Sequence, residues 1–350
     1  MTDVKIALTG FGNVGQGVAT LLSLHGDEYR RRYGVRLILT GVADRGGGAV
    51  NPEGLAPEVL LQTKREHATV AAGLQGQPGL ARDAFLDAAK ADVLVEAAST
   101  NFVDAEPGWR YAREAFVRGM DVVFASKGAL VLHFSEVEAL AREHRARFKL
   151  AGTIGAPLPV LELADRALVG TQIHAFEGVV NATANVILEA MSEGASYEQG
   201  VRRAQEAGVA ETDPTLDVDG WDASAKVVIL CHVFWGLDIT MEQVQRIGIR
   251  DVTAQMLLEA AKDRRSVKLV AGASYRDGNL EAWVRTEARA YGDPLGRLGG
   301  LSVGMVLATD PLGEVALSVQ DSGALPTALT VIRDAINLAR ERGGRRPEER

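Results

Sequence analysis

The chain has 350 residues, 47% of them hydrophobic and 24% charged, and its formal net charge is −8. This length exceeds one typical domain, so we expect two or three regions, each large enough for its own core. The basic residues form no long stripe, and with the acidic balance this excludes a phosphate-backbone footprint and argues against nucleic acid as a partner.

Three features of the sequence bear on cellular location. The chain enters a strand pattern directly, without a basic leader, and no apolar run reaches the roughly 18 to 20 residues that span a bilayer. Cys231 is the single cysteine, which excludes an internal disulfide and fits a reducing compartment. We therefore expect a cytoplasmic protein without membrane contacts.

The first 150 residues alternate short apolar runs with segments of helical spacing. Strands are predicted at residues 5–8, 36–42, 93–95, 121–125 and 147–151, and helices at 14–24, 80–89, 106–118 and 135–147. Glycines at 46–48 are expected to end the second strand, and residues 51–77 to form a polar segment. The alternation predicts an α/β nucleotide-binding domain at residues 1–150, with a doubly wound, Rossmann-like parallel sheet.

Residues 151–321 form a second region, which begins where prolines at 157 and 159 break the alternation. Strands are predicted at 171–180, 279–286, 304–309 and 313–320, helices at 184–193, 197–207 and 222–235, and an acidic loop at 211–219. We expect an α+β catalytic and dimerisation region. Residues 322–342 are predicted to pack back on the first domain, and residues 343–350 to form a disordered, charged tail.

A glycine motif follows the first strand and opens the first helix. The pattern G-x-G-x-x-G runs from Gly10 through Gly12, Asn13 and Val14 to Gly15. Its glycines permit a tight turn, close approach of the backbone to a pyrophosphate, and close packing of helix on strand. This position favours dinucleotide binding over an ordinary glycine-rich turn.

The end of the second strand bears on which dinucleotide binds. The Asp44 carboxylate could accept hydrogen bonds from the ribose hydroxyls of NAD, whereas Arg45 could pair with the 2′-phosphate of NADP. The two residues argue against each other, so both cofactors stay open. A turn aspartate beside a solvated arginine is the alternative.

Lys127 follows the strand at 121–125, at the sheet edge where ligands bind in this architecture. It could donate a hydrogen bond to a carbonyl oxygen near the nicotinamide. The alternative is a surface lysine at a strand end.

Five carboxylates lie within residues 211–222, in a run of like charge that implies a solvated loop or a nearby cation. They are Glu211, Asp213, Asp217, Asp219 and Asp222. The spacing does not match an EF-hand calcium loop. We therefore favour the ammonium group of an amino-acid substrate.

Lys226 lies four residues after Asp222, so both side chains share a helix face. Asp222 could hold the substrate ammonium while Lys226 points at its oxygen, or the two could form an ordinary surface ion pair. The apolar run at 227–230 favours a buried helix whose polar face lines a cleft. Cys231 continues that run as a core residue, and since the histidines show no metal-ligand spacing, no metal site is expected.

Six segments, in this order, resemble the homoserine dehydrogenase family. They are the glycine turn, VEAAST at 95–100, SKGAL at 126–130, TIGAPLP at 153–159, NATANVIL at 181–188, and AQEAGVAETDP at 204–214 with its continuation to Lys226. The resemblance covers nearly the whole chain. It implies reversible hydride transfer between NAD or NADP and the aldehyde carbon of L-aspartate 4-semialdehyde, giving L-homoserine, in threonine and methionine biosynthesis.

The resemblance also implies roles for particular residues and a homodimer formed through the second region's sheet. Asp222 would orient Lys226, and Lys226 and Lys127 would flank the reacting oxygen. Further cofactor contacts are implied for Ser99, Thr100 and Ser126, and substrate contacts for Ala182, Thr183, Glu211 and Asp217.

Four positions depart from the family pattern. The family has glycine where Ala182 stands and an aromatic residue where Val209 stands, so a paralogous dehydrogenase acting on a related small hydroxy or keto acid is an alternative. Ala151 and Pro157 replace residues of the family's sodium-like site, so the sequence does not favour a bound monovalent cation. A third alternative is a dinucleotide sensor without catalysis, suggested by the altered turn at 322–328.

Overall fold

The computed structural model describes residues 2–155, 157–320 and 323–343. The chain divides into two compact units, the first made of Met1–Thr153 and Ala324–Arg350, the second of Ile154–Gly323. The sequence analysis placed this boundary after residue 150. Ala156 and Ser322 lie outside the described residues, as does the predicted tail beyond residue 343.

The first unit is built from alternating strands and helices. Its strands are β1 (Thr2–Thr9), β2 (Val35–Asp44), β3 (Gly47–Val50), β4 (Gly76–Pro78), β5 (Val93–Glu96), β6 (Asp121–Phe124) and β7 (Phe148–Lys149). Its first six helices are α1 (Asn13–Tyr33), α2 (Pro57–His67), α3 (Arg82–Ala89), α4 (Gly108–Val117), α5 (Gly128–Leu132) and α6 (Phe134–Glu143).

Within the described residues these strands form one seven-stranded sheet, in the order β4-β3-β2-β1-β5-β6-β7. The neighbouring strands β2, β1, β5, β6 and β7 pair in parallel, which confirms the predicted Rossmann-like sheet. β1 lies at its centre, and its last four residues are all buried, as expected for a strand covered on both faces.

The segment after β2 contains elements that the sequence did not predict. The glycines at 46–48 follow the end of β2 at Asp44, as predicted, but Gly47, with a φ of 137°, also begins β3, which turns back antiparallel to β2. Residues 51–77 are not only a polar connector, since they contain α2. The cause is local, because Pro57 starts α2 at the helix position where a missing N–H is tolerated.

The second unit combines helices with a largely antiparallel sheet. Its helices are α7 (Val160–Glu162), α8 (Ala182–Ser192), α9 (Tyr197–Glu206), α10 (Thr215–Val218), α11 (Trp221–Trp235) and α12 (Ala254–Lys262). Its strands are β8 (Gln172–Val179), β9 (Gln245–Arg246), β10 (Arg265–Arg276), β11 (Asn279–Ala290), β12 (Val303–Asp310) and β13 (Gly313–Val319). In the described residues they form a six-stranded sheet, in the order β13-β12-β8-β10-β11-β9.

Several elements of this unit differ from the sequence predictions. The strand β10 and the helix α12 were not predicted, and the acidic loop at 211–219 contains the short helix α10. On one face of the sheet, Val179, Val270 and Val306 pack against Leu295 and Leu298 of the segment that follows β11. That segment therefore covers part of a sheet face that would otherwise be open.

The helix α13 (Ala324–Gly343) returns the chain to the first unit. Val331 and Leu338 are each no more than 1% exposed, and they belong to the same core cluster as Ile6 and Leu8 of β1. Lys149 and Glu341 add an ion pair of 3.0 Å between β7 and this helix. Across the described part of the chain, none of the helices has the length and apolar character needed to cross a membrane.

Candidate active site

The glycine turn of the first unit leaves room for a ligand at the start of α1. A Cβ at Gly10, where φ is 86°, would collide with the backbone of Ala97, and a Cβ at Gly15 would collide with the Gly10 carbonyl. A Cβ at Gly12 would meet nothing within 4 Å. Since α1 also begins without a side-chain cap, its first N–H groups can bind the pyrophosphate of a dinucleotide.

Asp44, at the end of β2, is held by the protein itself. Its two carboxylate oxygens accept hydrogen bonds from Lys64 Nζ at 2.7 Å, Thr69 Oγ1 at 2.7 Å and the N–H groups of Gly46 and Val70. Burial acts to raise the pKa of Asp44, but these hydrogen bonds outweigh it and lower the pKa. They occupy the four acceptor positions of a carboxylate, so a ribose hydroxyl would have to displace one of them. Arg45 is exposed.

A buried carboxyl group joins the loops that follow β5 and β6. Glu96 is fully buried, and it accepts hydrogen bonds from the Ala98 N–H at 2.9 Å and from the Ser126 hydroxyl. Burial raises the pKa of Glu96 to about 7, despite the opposing effect of these bonds. The Lys127 N–H donates to Thr100 Oγ1 at 3.3 Å, so the two loops are held together at the carboxyl edge of the sheet.

The second unit places Lys226 in a buried polar cluster. Lys226 is 7% exposed, and its Nζ donates hydrogen bonds to Asp222 Oδ2 at 2.6 Å and to the Val180 carbonyl at 2.5 Å. The two side chains lie one turn apart on α11, whose residues 223–232 are all buried. Burial separates this pair from the exposed i,i+4 ion pairs that contribute little to stability.

Asp217, on α10, lies in the same cluster. Its Oδ1 accepts a hydrogen bond of 2.6 Å from the Asn181 amide, which also donates to Asp222 Oδ2 at 3.0 Å. Burial raises the pKa of Asp217, and the charge of Asp222 raises it further, against the opposing effects of Asn181, Lys226 and Thr183. A cation with hydrogen-bond donors would therefore be bound favourably here.

Gly220 brings α10 and α11 together. It has a φ of 80° at the start of α11, a conformation that a β-carbon disfavours, and it turns the chain sharply between Asp217 and Asp222. Arg246 lies 3.4 Å from the centre of the Trp221 ring and donates to the Asp219 carbonyl, which fixes the turn from outside.

The remaining acidic residues of the segment do not join this cluster. Asp219 pairs with Arg250, and the exposed Asp213 accepts hydrogen bonds from Thr215. Glu211 is exposed, and among the hydrogen bonds of the described residues none connects its carboxylate to the cluster. Two of the positions that depart from the family pattern, Ala182 and Val209, lie close to each other, since Thr183, next to Ala182, donates a hydrogen bond to the Val209 carbonyl at 2.6 Å.

Asn181 is a member of the cluster that the sequence analysis did not single out. It follows β8 directly and caps α8, with its Oδ1 accepting the Ala184 N–H at 2.8 Å. An asparagine between an apolar strand and a helix is a recognisable cap signal. Its contacts with residues 36 and 41 positions away carry no such signal.

The described residues include no group of three or more histidine, cysteine, aspartate or glutamate side chains placed to hold a metal ion. The turn near Ile154 to Leu158, considered above for a monovalent cation, contains Ala156, which is outside the described residues.

Sequence comparison extends these observations to the whole chain. The family model for homoserine dehydrogenase matches residues 159–336, and the model for the homoserine dehydrogenase NAD-binding domain matches residues 10–151. The chain belongs to the homoserine dehydrogenase family. The resemblance inferred from the sequence motifs is thus confirmed, and the protein is an NAD(P)-dependent oxidoreductase acting on a CH–OH group.

Individual relatives agree with this membership. An NAD(+)-dependent homoserine dehydrogenase from Pseudomonas canavaninivorans is 33% identical over 97% of each chain, and a homoserine dehydrogenase from Methanocaldococcus jannaschii is 31% identical over 96% of this chain and 98% of its own. A solved structure from Archaeoglobus fulgidus has a TM-score of 0.85, 31% identity and coverage of 96% of this chain and 99% of that one. A hyperthermophilic archaeal homoserine dehydrogenase in complex with NADPH has a TM-score of 0.82, with 27% identity over 97% of this chain and 98% of that one.

Proposed function

We propose that the protein interconverts L-aspartate 4-semialdehyde and L-homoserine with NAD or NADP. The observation that carries this proposal is the partly buried cluster of Lys226, Asp222 and Asp217. It combines a cation that can face a substrate oxygen with a carboxylate that can face a substrate ammonium group. Both features are needed for a small amino acid that reacts at its side-chain oxygen.

In the proposed mechanism Lys226 handles the proton at the reacting oxygen. When bound, the nicotinamide cofactor supplies or accepts the hydride at the carbon of that oxygen. Lys226 Nζ stabilises the negative charge that grows on the oxygen, and it donates a proton directly or through a water molecule. Asp222 accepts a hydrogen bond from the Lys226 ammonium group and so fixes the direction of that group.

Other residues would bind and align the substrate. Asp217 receives the substrate ammonium, which relieves the repulsion between its own carboxylate and Asp222. Thr183, Ala182 and Glu211 are proposed as further substrate contacts. Lys127 is proposed to add positive charge at the reacting oxygen. Together these contacts would align the substrate, and such alignment accounts for a large share of many enzymatic rates.

The cofactor is proposed to bind through the glycine turn. Gly10, Gly12 and Gly15, with Asn13 and Val14, would hold the pyrophosphate at the start of α1. Contacts at the sheet edge are proposed for Ser99, Thr100, Ser126 and Lys127. Exposed Arg45 favours a 2′-phosphate, whereas Asp44 can serve a ribose hydroxyl only by exchanging an internal bond.

Purified protein tests the proposal directly. With L-homoserine and NAD or NADP, the absorbance of reduced cofactor should rise, and the ratio of the two rates gives the cofactor preference. Lys226→Ala should lose most of the activity, whereas Lys262→Ala, which removes an exposed lysine at the end of α12, should retain it. Unchanged activity in Lys226→Ala would refute the assigned role.

A second candidate function follows from Ala182 and Val209. Ala182 has a methyl group that the family's glycine lacks, and Val209 lacks the family's aromatic ring. Both residues lie beside the hydrogen bond of Thr183, so they can change the shape of the substrate site. The alternative is a paralogous dehydrogenase acting on a related small hydroxy or keto acid. A substrate panel in which homoserine is far from the best compound would favour it.

We also propose that the protein forms a homodimer through the sheet of the second unit. The Trp283 ring lies against Gly272 of the neighbouring strand and is only half-buried. Large aromatic side chains are enriched at interfaces between protein chains, and a second copy can cover the rest of this ring. Light scattering should give twice the chain mass for the wild type and for Leu74→Glu, and the single mass for Trp283→Glu. A monomeric wild type would contradict the proposal.

A cytoplasmic location is proposed on the same grounds as the function. Amino-acid biosynthesis uses the cytoplasmic pool of nicotinamide cofactors, and the single cysteine fits a reducing compartment. Fractionation of cells that express the tagged chain would test this, and activity confined to a membrane or secreted fraction would contradict it.

A further inference from the structure

The Asn181 side chain uses both of its amide hydrogens and its amide oxygen for hydrogen bonds within the protein. Its Oδ1 accepts the Ala184 N–H, and this bond fixes which way the amide faces. Its Nδ2 then gives one hydrogen to Asp217 and the other to Asp222. The residue is 5% exposed. The amide group is therefore a rigid bridge between two carboxylates.

Those two carboxylates would repel each other without a donor between them. The Lys226 ammonium reaches Asp222 at 2.6 Å, but at Asp217 its effect on the pKa is smaller than that of Asn181. The charged groups that act on Asp217 are Asp222 and Lys226, both on α11, and the polar groups are Asn181 and Thr183, both on α8. The asparagine thus supplies the principal hydrogen bond to Asp217.

We propose that Asn181 is a positioning residue, which holds Asp217 and Asp222 side by side so that one can bind the substrate ammonium while the other orients Lys226. It acts through these carboxylates and does not touch the reacting atoms. The inference rests on the proposed function, because it assigns the carboxylates their targets. A role limited to capping α8 is the competing explanation.

Serine at this position separates the two explanations. Asn181→Ser keeps a side-chain oxygen that caps a helix well, but it removes both amide donors. We expect a melting temperature close to that of the wild type, a loss of at least about tenfold in kcat/KM for homoserine, and a KM for the cofactor within about twofold. The acid limb of the pH profile should move to higher pH, because carboxylates that lose donors are protonated more readily.

Two further variants complete the set. Asn181→Asp keeps the size and the cap but replaces the donors with a third carboxylate, so it should lose more activity than the serine variant. If Asn181→Ser does not fold, Asn181→Asp is used to test the proposal instead. Thr253→Ala removes the cap of α12 and should lower the melting temperature without changing the activity or the pH profile. Wild-type activity with an unmoved acid limb in Asn181→Ser would overturn the proposal.

A readout that needs no activity separates this inference from the proposed function. If the wild type turns over neither homoserine nor aspartate semialdehyde, the proposed function fails while the bridge can still be tested. Carbon-13 NMR should show a higher pKa for Asp217 in Asn181→Ser than in the wild type, with Asp217→Asn used to assign the signal. In the wild type, the side-chain amide signals of Asn181 should shift with the same midpoint as Asp217. An unchanged Asp217 pKa, or amide signals that ignore it, would overturn the inference.

Discussion

Ionisation of Asp217 costs free energy in the folded protein. Its pKa is raised by burial and by Asp222, so the folded state holds a proton at this carboxyl more tightly than the unfolded state does. Stability from this group is therefore greatest below the unfolded pKa and decreases as the pH rises through the folded one. A carboxylate that is placed to bind a cation is expected to show this cost of ionisation as long as the cation is absent.

Asp217→Asn should accordingly make the protein more stable and less active. At pH 8 we expect the free energy of unfolding to rise by roughly 1 kcal/mol, because the repulsion with Asp222 disappears. The KM for homoserine should increase, because the ammonium group loses its carboxylate. Urea denaturation and steady-state kinetics measure the two effects. Asp213→Asn, at an exposed site, should change neither by much, and a less stable Asp217→Asn would contradict the argument.

Glu96 gives a second prediction, for stability against pH. Burial raises its pKa to about 7, so the folded state again favours the protonated group. Stability from Glu96 should be present in full below its unfolded pKa and decrease as the pH rises through 7, by on the order of 3 kcal/mol in all. Glu96→Gln should lack this contribution. The difference in unfolding free energy between the two proteins, measured from pH 4.5 to 8, should therefore change with pH, and a constant difference would count against the raised pKa.

The start of α1 carries a prediction for cofactor binding. A Cβ at Gly12 would stand in open space, so Gly12→Ala should fold with a melting temperature near that of the wild type. Its methyl group would occupy the approach of the pyrophosphate, so we expect the KM for NAD and NADP to rise by at least tenfold. Gly26→Ala, further along α1 and also in open space, should keep the cofactor KM and add up to about 1 kcal/mol of stability. Normal cofactor binding by Gly12→Ala would remove the glycine turn from the site.

Sequence patterns predicted elements where the pattern is local. The parallel strands of the first unit are short apolar runs, and α11 is a long one, so periodicity and length were sufficient to predict them, whereas the short antiparallel strands β3 and β4 were missed. The strand β10 was missed because its buried stretch of residues 268–273 contains Ala271, Gly272 and Ala273, small residues that favour a strand only through pairing. That pairing joins β10 to β8, far away in the sequence, and single-sequence patterns do not contain such partners.

In the candidate site, too, local contacts were predictable from the sequence and long-range contacts were not. The spacing of Asp222 and Lys226 placed both on one helix face, and their 2.6 Å contact is a local consequence of that spacing. Three of the four hydrogen bonds to Asp44 come from residues 20 to 26 positions further on, in α2 and the turn after it. The bridge by Asn181 is longer still. The residue types near a strand end were therefore predictable from the sequence. The number of their hydrogen-bonding positions that other residues of the protein occupy was not.

At the scale of the whole molecule, the first unit is completed by residues from the end of the chain. The core that contains Ile6 and Leu8 also contains Ala328, Val331 and Leu338 of α13. Truncation after residue 323 should therefore expose this core and lower the melting temperature of the first unit by at least 10 °C, or prevent its folding. Calorimetry of this truncated protein, compared with one that ends at residue 343, would measure the effect. Equal stability of the two would show that α13 is dispensable.

The return of α13 to the first unit also sets an order of events during synthesis. The strands of that unit leave the ribosome before the second unit, yet the helix that closes their core is translated only after the entire second unit. A nascent chain must therefore keep an apolar face of the nucleotide-binding sheet uncovered while about half of the protein is still being made. Chaperones that bind exposed apolar segments have their longest opportunity in this interval, and ribosomes that stall before codon 324 would release a chain whose first unit cannot close.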